Sequence, residues 1–249
     1  MKLLAIALLW AHFAFNSLAA DANVYLEAGV PAADREWRGA DYRLTAATLA
    51  ATKVSLPRFS DKHGKAVLDR LTSLENFSFH HNKTLPVDSR MVDYSHLLEG
   101  TGAILTRYLA TPGKGQEFHK EIAALMGFML HAAALGVELA DEFFPTIPRD
   151  ENYAVRMDGL KKMNSGLTTV FVGAENSLAE QKFYSADDLS LLLKAMSETL
   201  PRVRNAFSPD YRIELRKKLT SHKSSFKKKE DLRYIDEMLR ELSRGQVSP

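Results

Sequence analysis

From residue 41 onward, apolar residues recur at the three- and four-residue intervals of amphipathic helices, and the pattern breaks mostly at prolines. Residues 41–54 fit a first helix, which Pro57 ends. Residues 60–75 fit a second, with Ser60 and Asp61 as cap candidates and Val67, Leu68, Leu71 and Leu74 along one face. Residues 76–85 (NFSFHHNKTL) alternate only briefly before Pro86 and read as loop. Four stronger helices follow. Residues 87–110 are bounded by Pro86 and Thr111-Pro112-Gly113, and residues 116–144 are stopped by Pro145 and Pro148. Residues 152–182 come next, with Asp150 as N-cap. Residues 187–207 open at Ser185, and Asp188 three positions on completes a capping-box pattern. Two shorter helices close the chain: 209–222, with Ser208 as cap and Pro209 in the first turn, and 229–244, ended by Gly245. The pattern predicts an all-α protein, a single bundle of about six to eight helices.

Within 152–182, Gly159, Gly166 and Gly173 stand seven residues apart. Each glycine costs a helix interior about 1 kcal/mol relative to alanine, so three on one stripe suggest compensation by close backbone packing. The preceding helix carries Gly127, Ala134 and Asp141 at the same spacing, among Ala123, Ala124, Ala132, Ala133 and Gly136. A short link between the two favours an antiparallel hairpin. The expectation is a close-packed central pair, about 116–144 and 152–182, in which Gly166→Leu is severely destabilising. The alternative is that the glycines mark a broken helix. Residues 122–137 are apolar apart from His131, a run of 16. A membrane span needs about 20 residues, so this run is expected to be a buried central helix.

The amino terminus bears on the compartment. Lys2 precedes an apolar run, 3–15, interrupted only by His12, and the small residues of Ser17-Leu18-Ala19-Ala20 follow. This is the pattern of a secretory signal peptide cleaved after Ala19 or Ala20, with an uncleaved anchor as the alternative. The chain has no cysteine, which removes a lipoprotein anchor, disulfide support, thiolate nucleophiles and Cys-bound zinc or iron–sulfur clusters. An exported chain of 249 residues, 45% hydrophobic, must then stand on its core alone, and its length permits that. The expected compartment is a bacterial periplasm or the medium. Two sequons, at Asn76 and Asn82, matter only in a eukaryotic secretory pathway.

Candidate chemistry is sparse. His131 stands alone in the apolar run, and Glu138 and Glu142 follow on the same helical face. In 87–110, Asp93, His96 and Glu99 are spaced three apart. A buried imidazole flanked by carboxylates can ligate a metal or transfer protons. Di-metal bundles, however, use Glu-x-x-His on two helices and single glutamates on two more. This chain has one Asp-x-x-His and no second copy, so a metal at His131, Glu138, His96 and Asp93 is an alternative reading, and no other cofactor is expected. His80-His81, with His63, matches no zinc spacing. There is no G-x-S-x-G elbow, P-loop or G-x-G-x-x-G, and nothing argues for an enzyme.

The net charge of +2 hides an asymmetry. From Pro201 onward there are 13 Lys+Arg against 7 Asp+Glu, while residues 21–200 are mildly acidic. Arg216, Lys217 and Lys218, with Lys227, Lys228 and Lys229, lie among the aromatic residues Tyr211, Phe226 and Tyr234. Such a patch can meet an anionic membrane surface or another polyanion, with nucleic acid the less expected partner; otherwise it is a solvated helical face. The chain thus divides into a signal peptide (1–19), an irregular leader (20–40), a helical bundle (41–207) and basic C-terminal helices packed on it (208–249). The leading functional expectation is a non-enzymatic protein of the cell envelope that binds a protein partner or an apolar ligand. A metal- or cofactor-binding bundle and a peripheral binder of anionic surfaces are the alternatives.

Overall fold

The computed structural model describes residues 23–111 and 117–244, apart from the side chains of 160, 163 and 164; the signal pattern lies outside the described residues. Among these there is no strand. Eight helices of ten residues or more follow one another: α1 (Gly39–Ala51), α2 (Lys62–Leu71), α3 (Val87–Ala110), α4 (His119–Phe143), α5 (Tyr153–Ala179), α6 (Ala186–Val203), α7 (Pro209–His222) and α8 (Lys229–Ser243). The protein is all-α. The caps explain several boundaries. Asp61 accepts the Gly64 N–H at the start of α2, Ser208 accepts the Tyr211 N–H at the start of α7, and Ser185 with Asp188 forms a reciprocal capping box on α6.

Residues 76–85 are not simply loop. A 3-10 turn (Leu74–Phe77) runs into one helical turn (Ser78–His81). Phe77 and His80, three apart, both turn inward and are 5% and 1% exposed. That helical spacing is masked in the sequence by Phe79, which gives an apparent alternation. The described part of the leader, residues 23–40, likewise packs against the body. Trp37 is fully buried; its indole N–H donates to the Ala32 carbonyl at 2.9 Å, and its backbone N–H donates to Asn76 Oδ1 at 2.9 Å. Asn76 also donates to Tyr42 Oη and to the Arg70 carbonyl. Its sequon is therefore closed to a glycan in this fold.

α4 runs through the middle, in contact with α3, α5 and α6, and most of 122–136 is buried. The helix is apolar and long enough to cross a membrane by length and composition. Its burial within the bundle accounts for that composition. α8 lies along α6, and α7 bridges α8 and α5.

The most extensive helix pairs are α4–α6 and α1–α3, not α4–α5. At Gly127 a Cβ would sit 2.8 Å from Leu191 of α6. At Gly100 of α3 it would sit 2.4 Å from the backbone of Tyr42 in α1, and at Gly39 of α1, 2.1 Å from the Asp93 carbonyl oxygen. The α5 stripe behaves otherwise. A Cβ at Gly159 or Gly166 would meet nothing within 4 Å, and only Gly173 comes close to α4, at 3.2 Å from Met126 Cε. The expected glycine-faced α4–α5 pair is corrected on this point. Equal spacing puts glycines on one face without saying where that face points. Leu167, Phe171, Ala174 and Leu178 form a bulkier stripe on another face, and it is this stripe that is buried. Phe171 packs edge-on against Phe207, whose ring in turn meets Tyr211 of α7.

Candidate functional site

The four residues singled out for a metal fall into separate places. Asp93, on the α1-facing side of α3, accepts the Gly39 N–H at 3.1 Å and lies 3.5 Å from Arg38 Nε. Its imidazole neighbour is His80, not His96: His80 Nε2 is 3.2 Å from Asp93 Oδ2. Among the described residues neither His80 ring nitrogen has a hydrogen-bond partner of good geometry, so the approach to Asp93 is a close polar contact. The His80 side chain is wholly buried, edge-on to Phe77, Phe79 and Tyr94. Burial pushes the Asp93 carboxyl up, but His80, the Gly39 N–H and Arg38 outweigh it and hold it below the usual carboxylate range.

His96 lies against Gly39, its Cβ 2.8 Å from where a Cβ there would be. His131 faces Glu198 of α6 at 3.6 Å, and burial lowers its imidazole below the ordinary value despite that carboxylate. Glu138 instead meets Arg202 of α6 at 2.9 Å and His81 at 4.0 Å. Among the described residues, no three His, Asp or Glu side chains converge in a way that would hold a metal ion.

The basic C-terminal cluster is divided in the same way. Lys218 donates to Glu175 at 2.7 Å and to Glu214 at 3.2 Å, and these bonds raise its ammonium above the ordinary value. Lys228 donates to Asp187 of α6 at 2.6 Å. Lys227 and Lys229 are exposed, and Arg216 and Lys217 are exposed beside Ile213 on the outer side of α7.

Three arrangements were not legible in the sequence. Glu175, buried in α5, takes Lys218 on one oxygen and His222 on the other (3.3 Å), tying α7 to α5. Asp188 Oδ2 accepts both the Ser185 N–H and hydroxyl and lies 2.6 Å from His119 Nδ1, so one carboxylate caps α6 and anchors the start of α4. Both groups are consumed by contacts that join helices.

The third is a cleft of about 400 Å³ at the corner where α4 ends, α5 begins and α6 ends. Val137, Ala140, Phe144 and Met157 give it apolar walls; Asp141, Lys161, Arg202 and Asn205 give it polar ones. The adjoining half of α5 is open. Of the described side chains from Tyr153 to Gly166 none is buried, Val155 is 71% exposed, and Phe144 beside it is 48% exposed. On α5, Met157 and Lys161, one turn apart, point into the cleft, whereas Val155, Gly159, Lys162 and Gly166 share the outward face. The signal available in the sequence was the change of α5 at Leu167, from a polar, glycine-bearing half to an apolar one.

No protein-family model, curated protein or solved structure matches this chain.

Proposed function

We propose that this is an exported, non-enzymatic binding protein of the bacterial cell envelope, and that it binds through the corner formed by the end of α4 and the first half of α5. One observation carries the reading: a continuous helix of 27 residues leaves its first fourteen without a single buried described side chain, beside a cleft with apolar walls. Helices draw most of their stability in proteins from packing an apolar face. A half-helix without that packing, next to exposed Phe144 and Val155, suits a surface that a ligand or partner covers. Export rests on the signal pattern of residues 1–20. The non-enzymatic part is supported by the polar clusters elsewhere, in which Asp188, Glu175 and Asp93 bind helices together.

Native mass spectrometry of the mature protein purified from its own source tests this. A co-purifying small molecule or protein, released by Met157→Glu, supports the reading. A bare chain, or a bound species indifferent to Met157→Glu, overturns it.

A second reading has its own observation. Lys227, just before α8, and Lys229, its first residue, are exposed on the same part of the chain as exposed Arg216 and Lys217. Lysines in this setting attract anionic lipid surfaces by about 1 kcal/mol each. Flotation with vesicles rich in anionic lipid should then show binding that salt weakens and that Lys227→Gln with Lys229→Gln abolishes; absence of binding at low salt ends this reading.

A further inference from the structure

We propose that the cleft at the α4–α5 corner takes a zwitterion with an apolar side chain, meaning an apolar amino acid or a short apolar peptide with free termini. This rests on the reading of that corner as the binding surface and specifies what it binds. The size fits: about 400 Å³ lies within the range of about 300–1,000 Å³ usual for small-molecule sites.

The charges give the class. Three formal charges line the cleft, on Asp141, Lys161 and Arg202. Arg202 is already neutralised by Glu138 at 2.9 Å. Among the described residues Asp141 and Lys161 have no ion-pair partner, and they do not pair with each other, since no contact of 4 Å or less joins them. One free anion on α4 and one free cation on α5 therefore face the same cavity, with Phe144 and Met157 between the helices. An alkyl carboxylate would satisfy Lys161 but set its chain against Asp141. An alkyl ammonium would do the reverse. A zwitterion satisfies both with charge-assisted bonds, its ammonium on Asp141 and its carboxylate on Lys161, and leaves the side chain to displace water from Phe144 and Met157. Asn205, at the same rim, offers an amide to either end.

Calorimetric titration of the mature chain with phenylalanine and with the dipeptide Phe-Leu tests this, alongside N-acetylphenylalanine and phenylalaninamide. Saturable binding of at least one zwitterion is expected, and blocking either terminus should cost about tenfold or more, the loss of one charge-assisted bond. The dipeptide binding tighter than phenylalanine identifies a peptide as the ligand; the reverse order identifies the amino acid. Asp141→Asn should weaken phenylalanine but not N-acetylphenylalanine, and Lys161→Met should weaken phenylalanine but not the amide. Both positions are exposed, so both variants should keep the wild-type melting temperature. No saturable binding up to about 10 mM, or blocked ligands binding as well as free ones, overturns the proposal. If these probes fail while a species released by Met157→Glu still co-purifies, the ligand class falls and the binding surface stands.

Discussion

Glycine has opposite consequences at two kinds of position in this protein. At Gly100 a methyl group would collide with the backbone of Tyr42, which cannot swing aside as a side-chain tip can. Gly100→Ala is expected to cost about 3 kcal/mol, at the upper end of overpacking penalties. At Gly166 the same change meets nothing within 4 Å and removes a poor helix former, so a gain of about 1 kcal/mol is expected. Urea unfolding of the two variants checks the pair, and equal effects would contradict the packing described. Titration at single residues has a definite sign as well. Asp93 has its carboxyl lowered in the native state, so its contribution is present above about pH 4 and is lost as pH falls through the lowered value. His131 is lowered by burial, so its contribution is present above about pH 6.5 and is lost as pH falls below that. Stability should thus decline with acidification in two stages. His131→Gln should remove the first, and Asp93→Asn should shrink the second, to which the lowered carboxyls of Asp41 and Glu142 also contribute, as read from urea midpoints across pH.

Among the elements, α6 depends most visibly on its cap. The Ser185 hydroxyl and the Asp188 carboxylate bond each other's backbone N–H, and Asp188 also holds His119 at the start of α4. Ser185→Ala should cost about 1 kcal/mol, the usual value of a cap. Asp188→Ala should cost more, because it also frees His119; a smaller loss for Asp188→Ala than for Ser185→Ala in thermal unfolding would contradict that role. α5 is uneven along its length. From Leu167 onward its apolar stripe is buried, whereas the first half lacks buried described side chains. Native-state hydrogen exchange should therefore be faster over 153–166 than over 167–179, since local opening follows the density of buried contacts. Uniform protection along α5 would mean that the first half is covered in solution.

For the molecule as a whole, the leader from residue 23 onward is part of the fold. Trp37, Arg38 and Gly39 reach Asn76 and Asp93, far along the chain, and Arg38 stacks on the Phe79 ring. Asn76 alone satisfies the Trp37 N–H and bonds the Tyr42 hydroxyl. Asn76→Ala orphans the Trp37 N–H and takes one bond from the Tyr42 hydroxyl, which still donates to the Leu71 carbonyl, so a loss of about 1–3 kcal/mol is expected from the one unsatisfied buried donor. The same buried asparagine fits a sequon by spelling alone, a case where local sequence and tertiary position disagree.

The helical period and its proline and cap punctuation determined the all-α class, the approximate bounds of α3 to α8 and the burial of α4, because these depend on residues three and four apart. Partner choice between helices was not local. Gly159, Gly166 and Gly173 are aligned by spacing, yet the stripe of Leu167, Phe171, Ala174 and Leu178 took the interior, since burying large apolar groups releases more free energy than close backbone approach. Asp93 met His80 and not His96 because the 78–81 turn folds against α3, a contact across more than ten residues. The cleft joins Asp141, Lys161 and Arg202 from three helices, and only the tertiary structure brings them to one place.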